Sequence, residues 1–163
     1  MSDKPGTHGH EGRKAVFEKT AGEATRGVCR DKHEVLVDEP EWIPRVGGKD
    51  EHPSPVDYMM TALASCQVSV LAQCFSKARI EDYHITAETT IDEAGEDAVA
   101  EEMPGHTANR IRHIDIQLTA EVPTEYESQA ERCLEVYDSG CIVGQSYRAG
   151  VDYTPTTHLE LTD

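Results

Sequence analysis

The chain has 163 residues, a length that suits one domain with a real buried core. Asp and Glu number 31 against 15 Lys and Arg, a formal net charge of −16 at pH 7, so phosphate backbones and anionic membranes are repelled and nucleic acid is excluded as an expected partner. The excess is spread along the chain and only six of the basic residues are lysine; we read this as halophilic composition, in which high salt screens the self-repulsion.

The opening stretch MSDKPGTHGHEGRK has no apolar segment and no cleavage pattern. It reads as a flexible polar tail over 1–12, followed by a single domain over 13–163, and a cytoplasmic location is expected. Lys14–Thr20 and Thr25–Asp38 are expected as strands, with Ala21-Gly22-Glu23 as the turn between them. The segment 40–55 holds Pro40, Pro44, Gly47, Gly48, Pro53 and Pro55 and predicts a long loop. A helix then starts with Ser54 as N-cap, Pro55 at the first helical position and Asp57 three residues after the cap. It is expected to run to about Lys77–Arg79, where positive charge suits the helix end.

From Tyr58 to Ser76 no residue is charged. The run approaches the ~20 residues of a membrane span, but it contains Thr61, Ser65, Gln67, Ser69 and Gln73, so a central helix buried on most sides is the better reading and no membrane partner is expected. Alternation predicts strands at Tyr83–Ile91 and Arg110–Val122, with a loop at Asp92–Asn109 between them. A second helix is expected over about Glu125–Ser139, ended by Gly140 in a left-handed cap. A short third helix follows at Cys141–Arg148, broken by Gly150, and a last strand at Val151–Leu161. The pattern is an α+β chain.

Five cysteines punctuate these elements: Cys29, Cys66, Cys74, Cys133 and Cys141. In an intracellular protein they are expected as free thiols rather than a disulfide framework. Cys66 and Cys74 lie ~12 Å apart along one helix, too far for a disulfide, which needs Cα atoms within ~7 Å. Neither a CxxC nor a Cys-His pair at zinc spacing is present, so no metal is expected. Cys29, Cys74 and Cys133 read as inert small hydrophobes in packing. Cys141 begins a helix, where free N–H groups and the helix dipole favour a thiolate, so the residues alone rank it the more activated thiol. Cys66 stands mid-helix with small neighbours, Ala64 and Ser65.

The blocks HEVLVDEP, GGKDEHPSPVDYMMTALASC and SGCIVGQSYRAGV, in that order, resemble the OsmC family, which includes the organic hydroperoxide resistance proteins. The resemblance spans about Ala15 to Leu161. It implies an OsmC-like fold, an antiparallel sheet packed on a long central helix in an intertwined homodimer. It also implies a thiol peroxidase for organic hydroperoxides that uses no cofactor and is recharged by an external dithiol reductant. By the same resemblance Cys66 is peroxidatic and Cys141 resolving. That reverses the ranking drawn from the helix terminus. The family also uses an arginine of the N-terminal hairpin and an acid near the helix start. Here the hairpin tip is Gly22-Glu23, with Arg26 and Arg30 as the nearby arginines, and Val56 follows Pro55, with the acid one later at Asp57. Asp57 is ~13 Å along the helix from Cys66, so capping is its better-supported role. The competing reading is a non-catalytic dimer of the same fold that binds a small apolar ligand.

Overall fold

The computed structural model describes residues 14–41, 48–94, 110–151 and 154–159. The chain divides into two compact units, one ending at Met59 and the other beginning at Met60.

The first unit is built on a three-stranded antiparallel sheet, β1 (Ala15–Glu18), β2 (Thr25–Cys29) and β3 (His33–Val37), in that spatial order. Gly22, with φ +81°, makes the β1–β2 turn, closed by Glu23 N–H donating to Thr20 O at 3.1 Å. The stretch expected as one strand from Thr25 to Asp38 is two strands, folded at Arg30 and Asp31, which adopt φ of +55° and +53°. Neither residue is the Gly or Asn that normally flags such a turn, so the hairpin left little mark in the sequence. Beyond β3, the Asp38 carboxylate is nearly sealed from solvent at 3% exposure. It accepts from the N–H groups of Glu39 (2.8 Å), Lys49 (3.2 Å) and Glu51 (3.3 Å), folding both ends of the proline-rich loop onto one side chain.

Helix α1 spans Pro55–Lys77, the bounds its capping signals predict. Ser54 N–H and Oγ–H both donate to Asp57 Oδ2 at 2.8 Å, and Asp57 N–H donates back to Ser54 Oγ at 3.3 Å, a reciprocal cap. Tyr58 ties the first turn to β3 through its hydroxyl on Leu36 O, 2.7 Å. The far end is closed without glycine. Arg79 takes φ +61°, while Ile80 N–H reaches Phe75 O and Arg79 N–H reaches Ser76 O. This is the Schellman arrangement, completed by contact of buried Phe75 and Ile80.

The second unit adds β4 (His84–Ala94) paired antiparallel with β5 (Arg110–Glu121). The strand β4 runs past Ile91, so Asp92 and Glu93 belong to it rather than to the loop expected there; residues 95–109 lie outside the described residues. Then come a 3-10 turn (Thr124–Tyr126), α2 (Glu127–Val136), a second 3-10 turn (Tyr137–Gly140) and α3 (Ile142–Ala149). The core comprises Leu71, Phe75, Ile80, Ala130 and Cys133, flanked by Ile85, Ala120, Val122, Tyr126 and Tyr137. Phe75 and Tyr83 meet edge-to-face with ring centroids 5.3 Å apart.

Gly140 does not make the left-handed cap expected of it; the left-handed glycines among the described residues are Gly22 and Gly150. Its smallness serves packing instead, because a Cβ there would come within 2.9 Å of Val70 Cγ1 on α1. The last strand expected over Val151–Leu161 is not formed in its described part, where 154–159 are irregular.

Within α1 the buried residues are Leu63, Gln67, Leu71 and Phe75, one stripe at four-residue spacing. Thr61, Ala62, Ser65, Ser69, Gln73 and Ser76 are exposed. By length and composition α1 could cross a membrane; only one stripe of it is buried, so the expectation of a helix buried on most sides is not met within this chain.

Candidate functional site: two thiols between the central helix and α3

The cysteines sort themselves by structure rather than by spacing. Cys74 on α1 and Cys133 on α2 form a disulfide with Cα atoms 5.6 Å apart. This corrects the expectation that both are free packing thiols. Each does lie in the core, but α1 and α2 bring them face to face, and a separation of 59 residues in sequence gave no local sign of it. Cys29, Cys66 and Cys141 are free.

Cys66 lies partly exposed, halfway along α1 between Leu63 and Gln67. Cys141 lies beside it, close enough for the Cys66 thiol to act on its ionisation. The backbone presents Cys141 as follows. The 3-10 turn ends at Gly140, Cys141 turns extended (φ −79°, ψ 99°) as N-cap of α3, and its Sγ accepts from Gly144 N–H at 3.2 Å. Cys141 N–H donates to Asp138 O at 3.1 Å, and the residue is 0% exposed.

Burial pushes the Cys141 thiol above its ordinary value. The Gly144 and Val143 N–H groups pull it down, and the Cys66 thiol adds to the upward push. The ranking of Cys141 as the more activated thiol is thereby overturned: the helix terminus does act on the sulfur, but desolvation outweighs it. At neutral pH Cys141 is a protonated thiol, a donor poised against Cys66.

Gly144 completes the crevice. A methyl there would stand 3.3 Å from Cys141 Sγ, 3.5 Å from Leu63 Cδ1 and 3.6 Å from Gln67 Nε2. On the outer side, Arg148 of α3 pairs with Asp138 and lies within electrostatic reach of Cys141. Burial raises the Tyr137 hydroxyl, and the charges of Asp138 and Cys141 raise it further. Arg148 and Gln67 escaped the sequence reading. Gln67 had a signal, a polar residue in an otherwise Leu/Phe stripe, whereas Arg148 becomes a neighbour of the thiols only through the Asp138 pair.

The remaining candidates have partners of their own. Arg26 binds Glu34 across β2–β3 through two bonds, 3.0 and 3.2 Å, and Arg30 Nη2 lies 3.0 Å from His33 Nε2. Both arginines belong to the unit ending at Met59, whereas both thiols belong to the other. Asp57 is occupied in the helix cap. Among the described residues no three His, Cys, Asp or Glu side chains are grouped to hold a metal ion.

A capped central helix carries one free thiol and the start of α3 carries another, in an antiparallel α+β frame. Residues 48–156 match the family model described as OsmC-like protein, and the chain belongs to that family. No curated protein matches its sequence. Among solved structures, the OsmC-like protein from Mycoplasma pneumoniae superposes with TM-score 0.60 at 10% identity, covering 86% of this chain and 89% of that one. The organic hydroperoxide resistance protein OsmC from Legionella pneumophila gives 0.54 at 15% identity, over 85% and 92%. The organic hydroperoxide resistance protein OhrB of Bacillus subtilis gives 0.52 at 15%, also over 85% and 92%. At these identities the likeness shows the fold: this chain has the architecture those proteins share.

Proposed function

We propose that the chain is a thiol peroxidase that reduces organic hydroperoxides in oxidative-stress defence, with Cys66 as the attacking sulfur and Cys141 as the resolving one. The observation that carries this is the closeness of a partly exposed Cys66 to a buried Cys141 in a chain of this family. The names of the Legionella and Bacillus neighbours point the same way.

In the first step the ionised Cys66 sulfur attacks the terminal oxygen of the hydroperoxide. An S–O bond forms, the O–O bond breaks, and the alkoxide takes a proton to leave as an alcohol. Sulfur loses two electrons and becomes a sulfenic acid. Cys141 then displaces the hydroxyl, which takes the Cys141 proton and leaves as water, and a Cys66–Cys141 disulfide remains. An external dithiol restores both thiols while itself closing to a disulfide. Each step uses one of the two positions: the exposed sulfur meets the peroxide, and the buried one meets only the first sulfur.

Homodimerisation belongs to this reading. The uncharged, exposed stripe of Ala62, Ser65, Ser69, Gln73 and Ser76 on α1 would be covered by a second copy, and light scattering at molar salt should report two chains. A cytoplasmic location, where dithiol reductants are available, belongs to the same reading.

The test is peroxide consumption with a dithiol reductant at high salt, followed by intact mass. Turnover, with loss of two hydrogens from the protein beyond those of the Cys74–Cys133 bridge, supports the peroxidase. A protein that binds apolar ligands and leaves the peroxide untouched would instead be a binding module of the same fold.

A further inference from the structure

Gln67 occupies the one polar position in the buried stripe of α1, between Leu63 and Leu71. It is 7% exposed. A leucine there would continue the stripe without desolvating an amide, so a glutamine at this position is unfavourable unless its amide finds a partner. Among the described residues its amide makes no hydrogen bond to the protein. At the same time, no fully sealed side-chain nitrogen or oxygen lacks a partner among those residues. The small remaining exposure of Gln67 therefore includes its amide. The amide lies beside the buried thiol: Gln67 Nε2 and Cys141 Sγ stand 3.6 and 3.3 Å from one point beside Gly144, and Cys141 is in turn the neighbour of Cys66.

We infer that Gln67 is a further catalytic residue, whose side-chain N–H donates to the oxygen that leaves when Cys66 attacks a hydroperoxide. This rests on the peroxidase reading above. As the O–O bond breaks, negative charge gathers on the alkoxide oxygen. A neutral amide fixed in a nearly dry crevice stabilises that charge without reorganising. It gives up no proton; the alkoxide takes the proton released when Cys66 ionised. The leaving group is an alkoxide on carbon, so the flanking Leu63 methyl would lie against its alkyl part, favouring an alkyl hydroperoxide over hydrogen peroxide.

The test compares two reagents at the same sulfur. In reduced wild type and in Gln67→Met, the rate of Cys66 oxidation by tert-butyl hydroperoxide is measured in single turnover, with dimedone trapping. The rate of Cys66 alkylation by iodoacetamide, whose leaving iodide needs no such donor, is measured beside it. The expected result is a loss of ~100-fold with the peroxide, unchanged alkylation and an unchanged Tm. Gln67→Glu supplies a second arm of nearly equal volume: its deficit against wild type should narrow as pH falls and the carboxyl regains a proton to donate. A wild-type peroxide rate in Gln67→Met overturns the inference, as does an equal fall in both rates, which would make Gln67 a packing residue. If wild type itself fails to react with the hydroperoxide, the functional reading fails first, and the inference with it.

Discussion

Replacing the Cys74–Cys133 bridge by Cys74→Ala/Cys133→Ala removes a cross-link that closes 59 residues of chain. The chain-entropy relation gives ~14 cal/mol/K for a loop of that length, about 4 kcal/mol at 25 °C. Each kcal/mol is worth about 2–4 °C in a domain of this size, so the double variant should melt about 8–16 °C below the wild type. The geometry supports a native bond: the Cα separation of 5.6 Å lies inside the ordinary disulfide range, and Cys133 is only 2% exposed. Alanine at both positions avoids burying a lone hydroxyl or leaving an orphan thiol. Urea unfolding followed by far-UV circular dichroism is the assay, with and without a strong reductant. Reductant should bring wild type to the level of the variant and leave the variant unmoved. The urea m-value should rise in the variant, since its unfolded chain is freer to expose surface. Alkylation of the denatured, unreduced protein should label three of the five cysteines. Five labels, or an unchanged midpoint in both the variant and the reduced protein, would refute the reasoning.

Cys66→Ser should abolish peroxide turnover, whereas Cys141→Ser should react once and stall as a Cys66 sulfenic acid that dimedone captures and intact mass detects. Gly144→Ala gains about 1 kcal/mol of helix propensity but sets a methyl 3.3 Å from Cys141 Sγ; Tm should hold while closure of the Cys66–Cys141 disulfide slows, and wild-type closure would show that the crevice has room to spare. The Asp38 carboxyl is held below its ordinary 3.8, chiefly by the Glu39 N–H and then by those of Glu51 and Lys49, against the cost of its burial. A lowered folded-state value means a stabilisation fully present above the ordinary carboxylate range and lost as pH falls through the lower, folded value. Acid titration should therefore show a stability loss that Asp38→Asn removes, together with a lower plateau at neutral pH.

The elements legible in sequence were those with local chemistry at their ends. Ser54, Pro55 and Asp57 fixed the start of α1, and alternation fixed β5 to within a residue. What was missed depended on contacts between distant segments. Asp31 is a type that tolerates left-handed backbone, but Arg30 is not, and it adopts that conformation where β2 and β3 pair. Gly140 is small for the sake of Val70, seventy residues earlier in the chain. The Cys141 thiol was misranked because its helix terminus is written in the sequence while its complete burial is not. The Cys66–Cys141 assignment came from resemblance, and the residues by themselves pointed the other way.

Cys66 and Cys74 are eight residues apart, and so are Cys133 and Cys141. In the fold, Cys74 meets Cys133 and Cys66 meets Cys141, which is the cross-pairing of two antiparallel segments of equal length. Eight residues of α-helix rise ~12 Å. The path from Cys133 to Cys141 mixes α-helix with a 3-10 turn of ~2 Å per residue and covers a similar span, with Gly140 against Val70 allowing close approach between the two bridges. The structural disulfide thus fixes the register that presents Cys141 to Cys66. Its removal should reach the second pair: in Cys74→Ala/Cys133→Ala, α2 and the turn after it can shift along α1, and resolution of the Cys66 sulfenic acid should slow. At a temperature where the variant is fully folded, dimedone should capture more of Cys66 after one equivalent of hydroperoxide than in wild type, while the rate of initial oxidation stays the same. Equal capture in the two proteins would mean that the packing of Gly140 and Val70 holds the register unaided.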